Sequence, residues 1–168
     1  MNIQSLSYIL IETTDMQKWS HYAHEVVGLM KNEVLSDENN LFLRMDDSPF
    51  RFQVQIGETD RYVLGGFELA SKDEFDEAKK QLKDLGVAFD EMDAELAKIR
   101  CVDELISLKD PAGHCLELFY GRSLEKTEFK SPQGISAFIT HGLGLGHVVF
   151  GTLAVEEAHD FYKDVLGF

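Results

Sequence analysis

The sequence is poor in cysteine, proline and basic residues, and each shortage excludes something. Its two cysteines, Cys101 and Cys115, form neither a CxxC pair nor a framework. A disulfide-stapled scaffold is therefore excluded, and reduced thiols in a cytosolic protein are expected. No apolar run approaches the ~18 residues of a membrane span. The N-terminal stretch MNIQSLSYILIETT lacks the basic region and cleavage site of a secretory signal. A soluble, cytoplasmic protein without a membrane role is expected. Lys and Arg number 16 against 30 Asp and Glu, a formal charge of -14. Such a surface repels phosphate backbones, so no nucleic-acid partner is expected. Hydrophobic residues at 44% and aromatics at 11% are enough for a packed core.

What the chain does have is a recurring unit. SLSYILIE (5–12) reads as a buried strand. Asp15 is placed to cap a helix whose apolar face is Met16, Trp19, Ala23 and Val26, closed by Gly28. NLFLRM (40–45) and FRFQVQI (50–56) follow as strands joined by the turn DDSP. The pattern returns with RYVLGGFELA (61–70), where Gly65-Gly66 suggests a bulge or a close backbone approach. Ser71 then caps a helix presenting Phe75, Ala78, Leu82 and Leu85 and ending at Gly86. DAELAKIR (93–100) reads as a short helix or turn, and DELISLKD (103–110) with HCLELFYG (114–121) as a hairpin.

A polar stretch from Arg122 to Gly134 reads as a linker. After it, LGLGHVVFGTLAVEEAHDFYKDVLGF (143–168) begins the unit a third time, as a strand and a helix with face Val155, Ala158, Tyr162 and Val165. The offset from the first unit is a constant 139 residues, pairing Tyr8 with His147, Trp19 with Ala158 and Gly28 with Gly167. Over the 23 positions 146–168 only Thr13/Thr152, Val26/Val165 and Gly28/Gly167 are identical, so the repeat is one of pattern. Two such units side by side can form one curved sheet with helices outside. The third has no further strands, which predicts a fragment of a longer repeat protein whose last unit pairs with another chain in a homo-oligomer.

His147 is the first candidate for chemistry. In a strand it shares a face with Val149 and Gly151, opposite Val148 and Phe150. An imidazole at the mouth of a curved sheet can ligate a metal, although spacing alone favours a rim histidine bonded to backbone. Glu117 could be a ligand from a final strand, but a hydrogen-bonded or solvent-facing carboxylate accounts for it better. His21 and His24 are one helical turn apart with no third donor in view. His114, His141 and His159 suggest no role. There is no GxSxG, and GLGLG (142–146) precedes a strand instead of opening a helix, so neither a serine nucleophile nor a dinucleotide loop is indicated.

Three stretches carry a family resemblance: SLSYILIETTDMQKWSHYAHEVVGL, DELISLKDPAGHCLELFYG, and FITHGLGLGHVVF with FYKDVLGF. The chain resembles the N-terminal portion of type I extradiol catechol dioxygenases of the vicinal oxygen chelate superfamily, most of all the 2,3-dihydroxybiphenyl 1,2-dioxygenase group. The resemblance implies an α+β fold of paired βαβββ modules. It places a non-catalytic domain at 1–121 (modules about 1–58 and 61–121), a linker at 122–142, and the start of a metal-binding catalytic domain at 143–168.

It further implies an Fe(II) enzyme of aromatic catabolism that cleaves a catechol with O₂, the iron being held by two histidines and a glutamate. In that family a GLGH segment supplies the first histidine, which is His147 here. The other ligands and the acid-base residues are expected beyond Phe168, so the 168-residue chain alone is expected to be inactive and to hold no iron. Tyr8 at the matching position of the first unit fits a domain that keeps the fold without the metal. A non-catalytic small-ligand-binding protein of the same fold, and a glyoxalase-like isomerase or lyase using Glu117, are the alternatives.

Overall fold

A computed structural model describes all 168 residues, Met1–Phe168. In chain order the elements are β1 (Ile3–Thr13), α1 (Met16–His21) running on into a π-helical turn (Tyr22–Val27), β2 (Met30–Lys31), β3 (Asn40–Arg44) and β4 (Phe52–Ile56). Then come β5 (Arg61–Leu69), α2 (Lys72–Asp84), β6 (Phe89–Glu91), α3 (Ala94–Arg100), β7 (Glu104–Lys109) and β8 (Cys115–Tyr120). The last element is α4 (Val155–Asp160), which also runs on into a π-helical turn (Phe161–Val165). The expected α+β class and the two βαβββ modules are present. β2 was not expected: at two residues it is too short to leave an alternating pattern.

Two compact units divide the chain, one of Ser7–Val63 with Ser123–Leu145 and one of Met1–Leu6, Leu64–Arg122 and Gly146–Phe168. In the first, β1 runs parallel to β4 (Ile9 opposite Phe52), while β3 is antiparallel to both β4 and β2. Ala23, Leu29, Leu41, Leu43 and Val54 form its core, with Met16, Trp19, Val27 and Phe138 packed against it. The polar stretch after Arg122 is tied down in this unit. Arg44 donates from Nη2 to the Thr127 carbonyl at 2.7 Å, and Ser131 from its hydroxyl to the Gly28 carbonyl at 2.7 Å.

The second unit repeats the plan. β5 is parallel to β8, with Gly65 opposite Leu116 and Gly66 opposite Glu117, and β7 is antiparallel to β8 and β6. The glycine pair therefore sits in a regular ladder, and the bulge suggested by the sequence is absent. Phe75, Ala78 and Leu82 bury the inner face of α2, as expected from their spacing, whereas Leu85 is 54% exposed because the helix has ended by then. Both predicted caps form: Asp15 accepts from the Lys18 N–H at 3.0 Å and Ser71 from the Glu74 N–H at 3.3 Å.

The π-helical turns correct the sequence reading of two helix faces. A π turn takes more residues per revolution than an α turn. The inward position is thereby displaced by one residue. Val26 is 62% exposed and Val27 packs on the core in its place. At the equivalent place near the C-terminus, Leu166 is fully buried. Both turns end in the same way, with Gly28 at φ 82° and Gly167 at φ 83°. The Leu29 N–H donates to the Ala23 carbonyl at 2.8 Å, and the Phe168 N–H to the Tyr162 carbonyl at 3.0 Å.

Candidate functional site

The strand expected at the start of the third unit does not form. Gly146–Leu153 enters no ladder, and a strand without a neighbour has nothing to bond its N–H and C=O groups. The alternation nevertheless survives. His147, Val149 and Gly151 are exposed, whereas Val148, Phe150 and Thr152 are half-buried. His147 thus stands on the open side of this stretch, beside Val149 at 82% exposure. Its counterpart Tyr8 is buried at 2% in β1, with its ring 5.1 Å from that of Phe50.

Phe150, on the other side, leads to a cluster that the sequence did not reveal. The His114 ring stacks on Phe150 with centroids 4.5 Å apart and planes at 16°. His114 Nδ1 lies 2.8 Å from Asp110 Oδ2, which also accepts from the Tyr162 hydroxyl at 3.0 Å. Burial pushes the Asp110 carboxyl up, but the hydrogen bonds from the His114 ring, the His114 N–H and Tyr162 outweigh it. The carboxyl is held below the ordinary range and stays ionised. The visible signal was Asp110 four residues before His114 across Pro111-Ala112-Gly113, a spacing that suits an Asp side chain capping turn N–H groups.

Glu117 is not available as a ligand. It is buried at 2%, and its two oxygens accept from Arg100 Nε at 2.9 Å and Arg100 Nη2 at 3.2 Å. A buried carboxylate fully engaged by a guanidinium is a structural ion pair. His21 is exposed, and His24 Nδ1 lies 3.3 Å from Ser20 Oγ. His141 is exposed, and His159 contacts Asp160 on the surface.

An imidazole nitrogen suits Fe(II), but an iron centre needs several donors around one point. No group of three or more His, Cys, Asp or Glu side chains in the chain could hold a metal ion. These residues do not by themselves compose an iron site, and His147 is a single donor. No helix is long and apolar enough to cross a membrane.

Comparison with known proteins identifies the relatives. Residues 6–57 match the family described as dihydroxybiphenyl dioxygenase BphC D1. Over its whole length the chain is 45% identical to an iron-dependent extradiol dioxygenase of Rhodococcus jostii, of which it covers 55%. The chain is homologous to the extradiol dioxygenases. It is also 36% identical to a biphenyl-2,3-diol 1,2-dioxygenase of Paraburkholderia xenovorans, again over the full chain and 56% of that protein. Among solved structures, a catechol 2,3-dioxygenase superposes with a TM-score of 0.93 at 30% identity, over 99% of this chain and 55% of the other. A halotolerant catechol dioxygenase, BphC, gives 0.91 at 28% identity over the same shares. The fold is the vicinal oxygen chelate fold of these extradiol dioxygenases. The chain spans about half the length of the curated relatives it matches.

Proposed function

We propose that these 168 residues serve in an Fe(II)-dependent extradiol dioxygenase that cleaves a catechol such as 2,3-dihydroxybiphenyl with O₂. In this reading, residues 1–121 form a non-catalytic domain, 122–142 a linker, and 143–168 the beginning of the iron-binding domain. His147 is one donor to the iron, and the remaining donors come from residues outside this sequence. The full-length protein is a homo-oligomer in the cytoplasm.

The observation that carries the reading is that similarity to extradiol dioxygenases extends along the full chain, through the segment holding His147. Two features of the site support it. The repeat sets His147 against Tyr8, a buried ring whose position offers no comparable donor. His147 is also exposed on the open side of its stretch, where an imidazole can meet donors from elsewhere. A glyoxalase-like chemistry through Glu117 loses its support, because Arg100 occupies that carboxylate. No observation favours a non-catalytic binder.

The test is ring cleavage. The full-length protein loaded with Fe(II) is expected to consume O₂ with 2,3-dihydroxybiphenyl and form a yellow ring-fission product, and the 168-residue chain is expected to form none. Turnover by the 168-residue chain alone, or no cleavage of any catechol by the full-length protein, would refute the proposal.

A further inference from the structure

Several contacts that hold the segment Gly146–Phe168 to the second module converge on one hairpin turn. Asp110 opens that turn and is 5% exposed. Its Oδ1 serves the turn itself, accepting from the Ala112 N–H at 2.9 Å and the His114 N–H at 2.8 Å. A single side-chain oxygen meets that need, and asparagine would supply it equally well. Oδ2 does something else. It accepts from His114 Nδ1 at 2.8 Å and from the Tyr162 hydroxyl at 3.0 Å, across 52 residues of chain. The His114 ring so oriented carries the Phe150 stack. One carboxylate oxygen therefore links the turn to both the irregular stretch and the helix of the third repeat. The segment is also held by burial of Ala158, Phe161 and Leu166, by a hydrogen bond from Gln81 Nε2 to the Val165 carbonyl at 3.0 Å, and by Phe168 edge-on to Phe67 at 5.6 Å.

We propose that Asp110 is a latch: one oxygen shapes the β7–β8 turn, and the other fastens residues 146–168 to the second module through His114 and Tyr162. Releasing Oδ2 loosens this segment, which its buried Leu166 still holds, while both modules stay folded. His147 lies three residues before Phe150, so Asp110 and His114 are positioning residues for it. That last consequence rests on the function proposed above, whereas the latch does not.

Amide hydrogen exchange on the 168-residue chain, without metal or substrate, tests the latch. Tyr162→Phe removes only the inter-element hydrogen bond. Asp110→Asn keeps an acceptor for the turn if its carbonyl takes the Oδ1 place, and it puts a donor where Oδ2 was. Loss of a hydrogen bond to an ionised acceptor corresponds to roughly tenfold or more in a local opening equilibrium. Amides of Ala158, Leu166 and Phe168 should therefore exchange about tenfold faster in Tyr162→Phe and faster still in Asp110→Asn. Amides of β3 and β8 should keep their rates. Unchanged exchange across 154–168 in Tyr162→Phe overturns the latch, as does acceleration that β8 shares in equal measure. If Asp110→Asn fails to fold, Tyr162→Phe alone decides. Because no iron or catechol is present, failure of the catalytic proposal leaves this result intact.

Discussion

Thr13 and Thr152, 139 positions apart in sequence, make the same hydrogen bond. Each hydroxyl oxygen accepts from the N–H two residues on, Asp15 at 3.1 Å and Ala154 at 2.9 Å, where the chain turns into a helix. The helix hydrogen bonds that follow also match, from the Trp19 N–H to the Asp15 carbonyl at 3.2 Å and from the Ala158 N–H to the Ala154 carbonyl at 3.0 Å. Thr13 in addition donates to Asp60 Oδ1 at 2.7 Å. Thr13→Val keeps the shape, strands the Asp15 N–H and leaves the Asp60 carboxylate with only its hydrogen bonds from Thr14. The expected cost is about 1–3 kcal/mol, read as a lower urea midpoint with an unchanged slope.

The π-helical turns separate neighbouring valines and leucines that sequence spacing ranks the other way. Leu166→Ala should cost about 2–5 kcal/mol, as for other fully buried leucines. Val26→Ala, at an exposed position, should stay within about 0.5 kcal/mol. The reverse order in urea unfolding, with Val26→Ala the costlier change, would mean that both helices are α-helical throughout.

Arg51 is fully buried and clamps Asp46, with Nη2–Oδ2 at 2.7 Å and Nε–Oδ1 at 3.0 Å, while its Nη1 donates to the Ser7 carbonyl at 2.9 Å. Breaking one side of such a pair leaves an uncompensated charge. Arg51→Met is therefore expected to cost about 3–5 kcal/mol, measurable by thermal or urea unfolding.

The same pair sets an acid limit. Burial pushes the Asp46 carboxyl up, but the hydrogen bonds and charge of Arg51, with help from the Ser48 N–H and the Thr140 hydroxyl, hold it below the usual carboxylate range. Asp110 is depressed in the same direction. A folded-state pKa below the unfolded one contributes stability that is complete above the unfolded value and lost as pH falls through the folded value. Unfolding free energy should hence be flat in this contribution from pH 7 to about 5 and fall below about 4. Asp46→Asn should show a shallower acid limb.

Much of the fold was legible because local signals agreed. Asp15 and Ser71 announced their helices, Gly28 and Gly86 ended them, and the alternation in ELISLK and CLELFY declared a hairpin. Two helix faces were misread at their ends because a π turn leaves no mark in apolar spacing: Val26 and Val27 are equally apolar, and only the backbone decides which turns inward. The bulge at Gly65-Gly66 was suggested by composition and is absent because the parallel ladder with β8 absorbs both glycines. The Asp110–His114 pair left a local signal across its turn, whereas Tyr162 joins it only when residues 52 apart are brought together. The face of His147 could be read from period-two alternation, which persists without a ladder.

The central claim is most directly tested by metal content. Full-length protein purified with Fe(II) under anaerobic conditions should hold about one iron per chain as the native residue set and with Tyr8→Phe. His147→Ala should lose most of that iron and all ring cleavage while keeping the same fold by circular dichroism. A His147→Ala protein that retains its iron and its turnover would contradict the account.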